Sequence, residues 1–188
     1  MKTIAQQLNI KDFPLVIKNK NGNRIYYEDS TGYWNKREYS EGGNVIYSED
    51  STGFWVKREY DKNNNVIYSE DSTRHWIKQE YDKNSNKTYL EYSTGFWIKR
   101  EYDKNGNVIY SEDSTKSWVK REFNKNGKET YLEYSTRAWH KRKYDKEGNE
   151  IYYENSEGVI EDNRSTELTL NEIADKLGMD VKHLKIKE

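Results

Sequence analysis

Trp55-Val56-Lys57-Arg58-Glu59-Tyr60-Asp61-Lys62-Asn63-Asn64-Asn65-Val66-Ile67-Tyr68-Ser69-Glu70-Asp71-Ser72 is one copy of a unit that recurs, barely altered, from Tyr26 to Ser156. Trp34, Trp55, Trp76, Trp97, Trp118 and Trp139 follow one another at intervals of 21 residues without an insertion or deletion. So strict a period means one supersecondary unit copied in tandem. The flanks of each copy are β-branched and aromatic, which suits strands. Between them lie Gly22, Gly43, Asn64, Ser85, Gly106, Gly127 and Gly148, mostly within Asp-Lys-Asn-Gly-Asn contexts. Gly or Asn there fits a left-handed backbone, as in a type I turn closed by a bulge, so each unit predicts a β-hairpin.

With Asp61 opposite Asn65, a straight ladder sets Tyr60 opposite Val66, Arg58 opposite Tyr68 and Val56 opposite Glu70 on one face. Trp55, Lys57 and Glu59 then oppose Asp71, Ser69 and Ile67 on the other. Both faces come out half apolar and half charged, and such a sheet has no deep core. Its stability then rests on same-face neighbours, each contributing roughly 0.2–1 kcal/mol and summed over the copies. The Tyr26-to-Tyr152, Glu28-to-Glu154, Ser30-to-Ser156, Trp and Lys36-to-Lys141 columns never change. Even segments alternate between Val66-to-Asp71 and Lys87-to-Tyr92 wording, a partial duplication of a doubled unit.

The chain has 188 residues, 32 basic against 33 acidic side chains and a net charge of −1. That balance favours neither a phosphate-tracking protein nor an acidic nucleic-acid mimic. Leu, Ile, Val and Phe make up only about 18% of the residues, but 17 Tyr and 6 Trp supply large apolar area, so a folded, thin structure is expected. The absence of cysteine excludes disulfides, thiol catalysis and thiolate metal sites. No run of residues is long and apolar enough for a secretory signal or a bilayer span, so the expected location is cytoplasmic.

Residues 3 to 10 read as a short amphipathic helix, followed by Pro14 and a strand over Leu15-Val16-Ile17-Lys18. After Ser156 the pattern dissolves. Ser165 or Thr166 is placed to cap a helix carrying Leu170, Ile173, Ala174 and Leu177 on one face, with Gly178 as its stop and an extended tail over Val181 to Lys187. Ile173, Ala174 and Leu177 fall on Ile4, Ala5 and Leu8 without gaps, so residues 1–20 and 159–188 read as matching helix-strand caps around an array over residues 21–158.

The Asp-Lys-Asn-Gly-Asn turns lack the glutamate that an EF-hand requires, since the twelfth residue from Asp103 is Ser114; Asx-turn chemistry accounts for them without calcium. His75, His140 and His183 form no ligand or triad spacing. Catalysis needs one asymmetric cluster, which a column of identical Glu or Ser does not supply, so no enzyme, metal or cofactor is expected.

Tyr102-Asp103-Lys104-Asn105-Gly106-Asn107 and its copies resemble the tyrosine-aspartate repeats of the RHS family, whose β-strips wind into a shell. Here a Trp-x-Lys-x-Glu motif precedes each Tyr-Asp, and six copies are too few to enclose a cargo. The layout, including Ile46-Tyr47-x-Glu49-x-Ser51-x-Gly53 and Leu168 to Gly178, is also similar to repeat proteins of bacteriophages and prophages, which implies expression inside a host cell. Leu168 to Asp180 resembles the first helix and turn of a helix-turn-helix, with too little chain left for a recognition helix and few basic residues. The Trp and Tyr ladder resembles the choline-binding hairpins of phage lytic enzymes but lacks their paired Gly-Trp signature.

The sequence therefore predicts a mainly β, elongated antiparallel hairpin array, a meander with successive Trp Cα atoms about 9.6 Å apart, with short helical caps at both ends. Its expected role is a non-enzymatic scaffold that binds another macromolecule, first of all a protein, as a phage-encoded modulator of a host or defence protein; a glycan or choline-type module is the alternative. Nucleic acid and membrane are not expected partners, and the oligomeric state stays open. The candidate binding residues are the six tryptophans together with Tyr33, Phe54, His75 and Phe96, the last four in a column that varies from copy to copy.

Overall fold

In the computed structural model, residues 2–164 and 168–183 are described. A five-residue helix, α1 (Ile4–Leu8), leads into β1 (Leu15–Lys18) and β2 (Arg24–Glu28). The Trp-led strands are β3 (Trp34–Tyr39), β5 (Trp55–Tyr60), β7 (Trp76–Tyr81), β9 (Trp97–Tyr102), β11 (Trp118–Phe123) and β13 (Trp139–Tyr144). Between and after them run β4 (Val45–Asp50), β6 (Val66–Asp71), β8 (Lys87–Tyr92), β10 (Val108–Asp113), β12 (Glu129–Tyr134), β14 (Glu150–Asn155) and β15 (Ile160–Asp162). All fifteen pair antiparallel in chain order within one open sheet, so each copy adds two strands to a meander.

Every expected left-handed turn residue has positive φ, from 63° at Ser85 to 92° at Gly148. The Asp61 turn shows why: Asp61 N donates to Asn65 O, Asn64 N donates to Asp61 O, and Asp61 Oδ1 accepts from the Asn63 and Asn65 N–H groups. The opposite turn, Asp-Ser-Thr-Gly, has the same form, with Asp50 N donating to Phe54 O and Gly53 at φ 83°.

The straight ladder is corrected by a bulge in each hairpin closed by the Asp61-type turn. Tyr60 does face Val66, but the register then shifts, so that Glu59 faces Tyr68, Arg58 faces Ser69, Lys57 faces Glu70 and Val56 faces Asp71. One extra residue against its partner strand reverses the facing of everything beyond it. Ile67 is that residue in this copy. Across the other turn the pairing is unbroken, with Tyr47 opposite Lys57, Ser48 opposite Val56 and Glu49 opposite Trp55.

The interior is thin, as the composition implies: among the described residues the only buried apolar side chains are Ala5, Tyr26, Leu132 and Ala174. Glu28, 2% exposed, is the one buried charged group among the described residues. Its Oε2 accepts from Ala5 N (3.0 Å) at the start of α1 and from Tyr26 Oη (2.9 Å). In the next copy, Glu49 meets the Lys36 ammonium at 2.6 Å instead. The N-terminal helix thus sits on an array carboxylate whose counterpart in the next copy meets a lysine, and its N-terminal dipole end favours that charge.

At the other end, α2 (Leu170–Leu177) is capped by Thr169, in a capping box with Glu172, and stopped by Gly178 in the left-handed region. Ser165 and Thr166, the expected caps, lie outside the described residues. The expected extended tail is corrected at its start, because Val181–His183 forms a 3-10 turn; Leu184 to Lys187 lie outside the described residues. Sequence reading also passed over β15, in which Ile160 takes the Trp column's next place after Trp139. No described helix is long and apolar enough to cross a membrane.

Candidate functional site

The bulge sorts the columns by face. Tyr47 and Glu49 pair with Lys57 and Trp55, and Lys57 and Glu59 pair with Glu70 and Tyr68, so the unchanging Tyr, Glu, Trp and Lys columns all share one side, face A. Face B carries the Val56, Arg58 and Tyr60 columns, opposite Ser69 and Asp71 on one flank and Ser48 on the other.

On face A the phenols and carboxylates are linked along each even strand. Tyr Oη donates to the Glu two residues on at 2.9 Å from Tyr26, 3.0 Å from Tyr47, 3.2 Å from Tyr68 and 3.0 Å from Tyr152. Burial first, then this carboxylate, pushes the Tyr26 phenol up to about 12. Tyr47, Tyr68, Tyr89, Tyr110 and Tyr131 shift upward with burial as the first cause, and Tyr152 does so first through its bond to Glu154. Lys36 at Glu49 holds that carboxyl below its usual range. The six candidate tryptophans are half-buried here, with Tyr26 stacked on Trp34 at 6.3 Å, Tyr47 on Trp55 at 6.4 Å and Tyr110 on Trp118 at 6.4 Å. Lys99 and Lys116 lie 5.1 and 5.5 Å from the Trp97 ring centre, and Lys141 lies 4.9 Å from that of Trp139. The Ser column lies in the turns, where Ser51 N donates to Trp34 O and Ser72 N to Trp55 O, each at 2.9 Å.

Shallow grooves repeat along face A with the same lining. One of about 520 Å³ is bounded by Glu38, Tyr47, Lys57 and Glu59, and one of about 550 Å³ by Glu101, Tyr110, Lys120 and Glu122. The wider groove near the C-terminal end, about 820 Å³, differs chiefly in Lys143, which stands where other copies have Glu.

The second candidate set lies elsewhere. Tyr33, Phe54, His75 and Phe96 immediately precede the Trp residues and occupy the turns along one margin of the strip. Tyr33 is 41%, Phe54 44% and Phe96 38% exposed. The Phe96 ring packs 6.3 Å from Tyr92, which pairs with Ile77 on face B. His75 Nδ1 lies 2.8 Å from Thr73 Oγ1. The structure therefore does not gather the ten candidates into one site: the tryptophans belong to face A, and the varying aromatic row borders face B.

Missed in the sequence was the column Arg37, Arg58, Gln79, Arg100, Arg121 and Arg142 on face B, together with Glu129. Glu129 gathers Arg142 at 3.2 Å, His140 at 3.0 Å and Arg121 at 3.6 Å, and Glu150 takes Arg142 from its other side at 3.1 Å. The available signal was Glu129 and Glu150 replacing the valines at 45, 66 and 108.

No family model and no curated protein sequence matches the chain. Among solved structures it is similar to a part of the Photorhabdus luminescens Tc holotoxin pore carrying a mutant TccC3, at 12% identity and a TM-score of 0.51, over 76% of this chain and 9% of that one. The TcdB2–TccC3–Cdc42 crystal structure is similar at 12% identity and a TM-score of 0.51, over 72% of this chain and 9% of that one. The likeness is one of fold. It shows that the run of antiparallel hairpins is shared, and this chain spans about a tenth of those proteins' length.

Proposed function

We propose that the strip is a non-enzymatic adaptor that binds a protein through face B and its aromatic margin. The carrying observation is the division of labour between faces: the invariant Tyr, Glu, Trp and Lys columns lie on face A, whereas the columns that vary most from copy to copy, those of Val56 and Phe54, lie on face B or its border. Change is tolerated where a residue does not hold the scaffold, and there it gives position-specific contacts. Tyr33, Phe54 and Phe96 are exposed aromatic anchors of the kind that carry binding energy at protein interfaces.

The choline or glycan alternative is weakened because lysines of the chain already lie over Trp97 and Trp139, where a quaternary ammonium would sit. The similarity to phage repeat proteins makes a cytosolic host or defence protein the natural partner.

Affinity capture from host lysate, comparing the wild type with a Tyr33→Ser, Phe54→Ser, Phe96→Ser variant, tests this reading. Serine already occupies this column at Ser117, so the scaffold tolerates it. A partner retained by the wild type and lost by the variant is the expected result. Recovery of no partner, or equal recovery by both proteins, would overturn the reading.

A further inference from the structure

Resting on the docking role of face B, we infer that its partner is an acidic protein surface, whose carboxylates meet the arginines Arg37, Arg58 and Arg100. These three are half-buried, and none of them takes part in any ion pair among the described residues. Val56, Ile77 and Ile98 run beside them as an apolar stripe on the same face. The chain itself shows how an arginine in this column is satisfied. At the C-terminal end Glu129 and Glu150 supply carboxylates to Arg121 and Arg142, from positions held by Val45, Val66, Lys87 and Val108 in the preceding copies.

The aromatic margin changes in parallel. It reads Tyr33, Phe54 and Phe96 in the copies with the unmatched arginines, His75 in the copy with Gln79, and Ser117 and Ala138 in the copies with the matched ones. Two independent columns thus place the docking region over the N-terminal four copies. Apolar surface, rings and arginines without counter-ions are the composition of a protein interface core, and bidentate pairing with carboxylates is what a guanidinium offers there.

A nucleic-acid backbone fits less well. Arg37 and Arg58 lie two strands, about 9.6 Å, apart and Arg58 and Arg100 four, and Asp50, Asp71 and Asp113 stand on the same face at the strand ends. Threonine hydroxyls at Thr52, Thr73 and Thr115 hold those three carboxyls below their usual range, so they remain anionic at neutral pH. Discrete carboxylates set among apolar side chains suit this face better than a continuous polyanion.

The test selects binders for the whole chain from a displayed library of random short peptides at physiological ionic strength. Binding of the selected peptides is then measured to the wild type, to Arg58→Gln with Arg100→Gln, and to Lys57→Gln with Lys99→Gln on face A. Gln79 already occupies the arginine column, so the first variant copies a natural copy of the repeat. The inference expects acidic peptides with apolar residues between the carboxylates. Their affinity should fall by about tenfold or more in the arginine variant, the loss of at least one charge-assisted contact, and hold in the lysine variant. Selected peptides that are not acidic, bind the arginine variant unchanged and fail only on Phe54→Ser with Phe96→Ser would leave the docking face standing and overturn the acidic partner. Retention of no peptide would overturn both. A single-stranded oligonucleotide that outcompetes the peptides and depends on the same arginines would replace protein by nucleic acid.

Discussion

At the residue scale, the left-handed turn positions decide where the chain is strained. The Asp50-type turns use Gly32, Gly53, Gly95 and Gly158, but Arg74, Lys116 and Arg137 occupy the same place in other copies at φ 67°, 68° and 71°. A side chain there costs roughly 1–2 kcal/mol relative to glycine, of which glycine's greater unfolded-state freedom returns about half. Each of Arg74→Gly, Lys116→Gly and Arg137→Gly should therefore stabilise by roughly 0.5–1 kcal/mol, and Gly53→Ala should destabilise by a similar amount; chemical denaturation reads both signs. Glu28 is the other decisive residue. Glu28→Gln replaces the buried charged acceptor of Ala5 N–H, Tyr26 Oη and the Thr3 hydroxyl by a neutral amide, at a cost of roughly 1–3 kcal/mol. Hydrogen exchange should speed up in α1 and β1 while β7 to β10 keep their protection; uniform acceleration along the strip would show that Glu28 holds more than the N-terminal helix.

Elements are where the sequence was most and least informative. Trp spacing and the Asn64-type turns made the hairpins and the meander legible, because these follow from local chemistry that each copy repeats, and apolar periodicity with a left-handed stop made the two end helices legible. The bulge was not legible: Val66-Ile67 reads as an unbroken strand, and nothing in it marks which residue lacks a cross-strand partner. That one residue decides whether Tyr68 and Glu70 lie with Trp55, Lys57 and Glu59 or on the face of Val56 and Arg58, so the Tyr and Glu columns could not be assigned to the Trp face from sequence. The hairpins also set the pH range of the fold. Asp50, Asp71 and Asp113 accept from threonine hydroxyls, and Asp61, Asp82 and Asp103 from asparagine amides, which lowers all six from a usual value near 4. A folded-state value below the unfolded one gives stability that is present above about pH 4 and lost as pH falls through the lowered values. The phenol column has the opposite sign. Its raised values, about 12 at Tyr26, give stability that is full below about pH 10 and lost as pH climbs toward the folded value. Circular dichroism should show a plateau between those limits and loss of the sheet on both sides; sheet signal unchanged from pH 4 down to 2 would show that the Asp turns contribute nothing.

At the scale of the whole molecule, a single-layer sheet with almost no buried apolar core behaves as a linear chain of interfaces rather than as a body with one centre. Each strand meets only its sequence neighbours, so stability sums intrinsic hairpin terms and nearest-neighbour terms. One copy should then be removable without consequence for the others. Deleting Val66 to Asn86 joins Asn65 to Lys87, and β5 acquires β8 as its partner across the retained Asp61 turn. Tyr60 then faces Lys87 as Tyr81 does now, Glu59 faces Tyr89 in place of Glu80, and Arg58 faces Leu90 in place of Gln79. The shortened strip should keep the wild-type far-ultraviolet ellipticity per residue and unfold with a denaturant slope reduced in proportion to the surface removed. A globular domain stripped of two central strands would instead lose cooperative unfolding altogether. That outcome here would mean that distant copies touch, and that the faces of the strip are closed against each other rather than open to a partner.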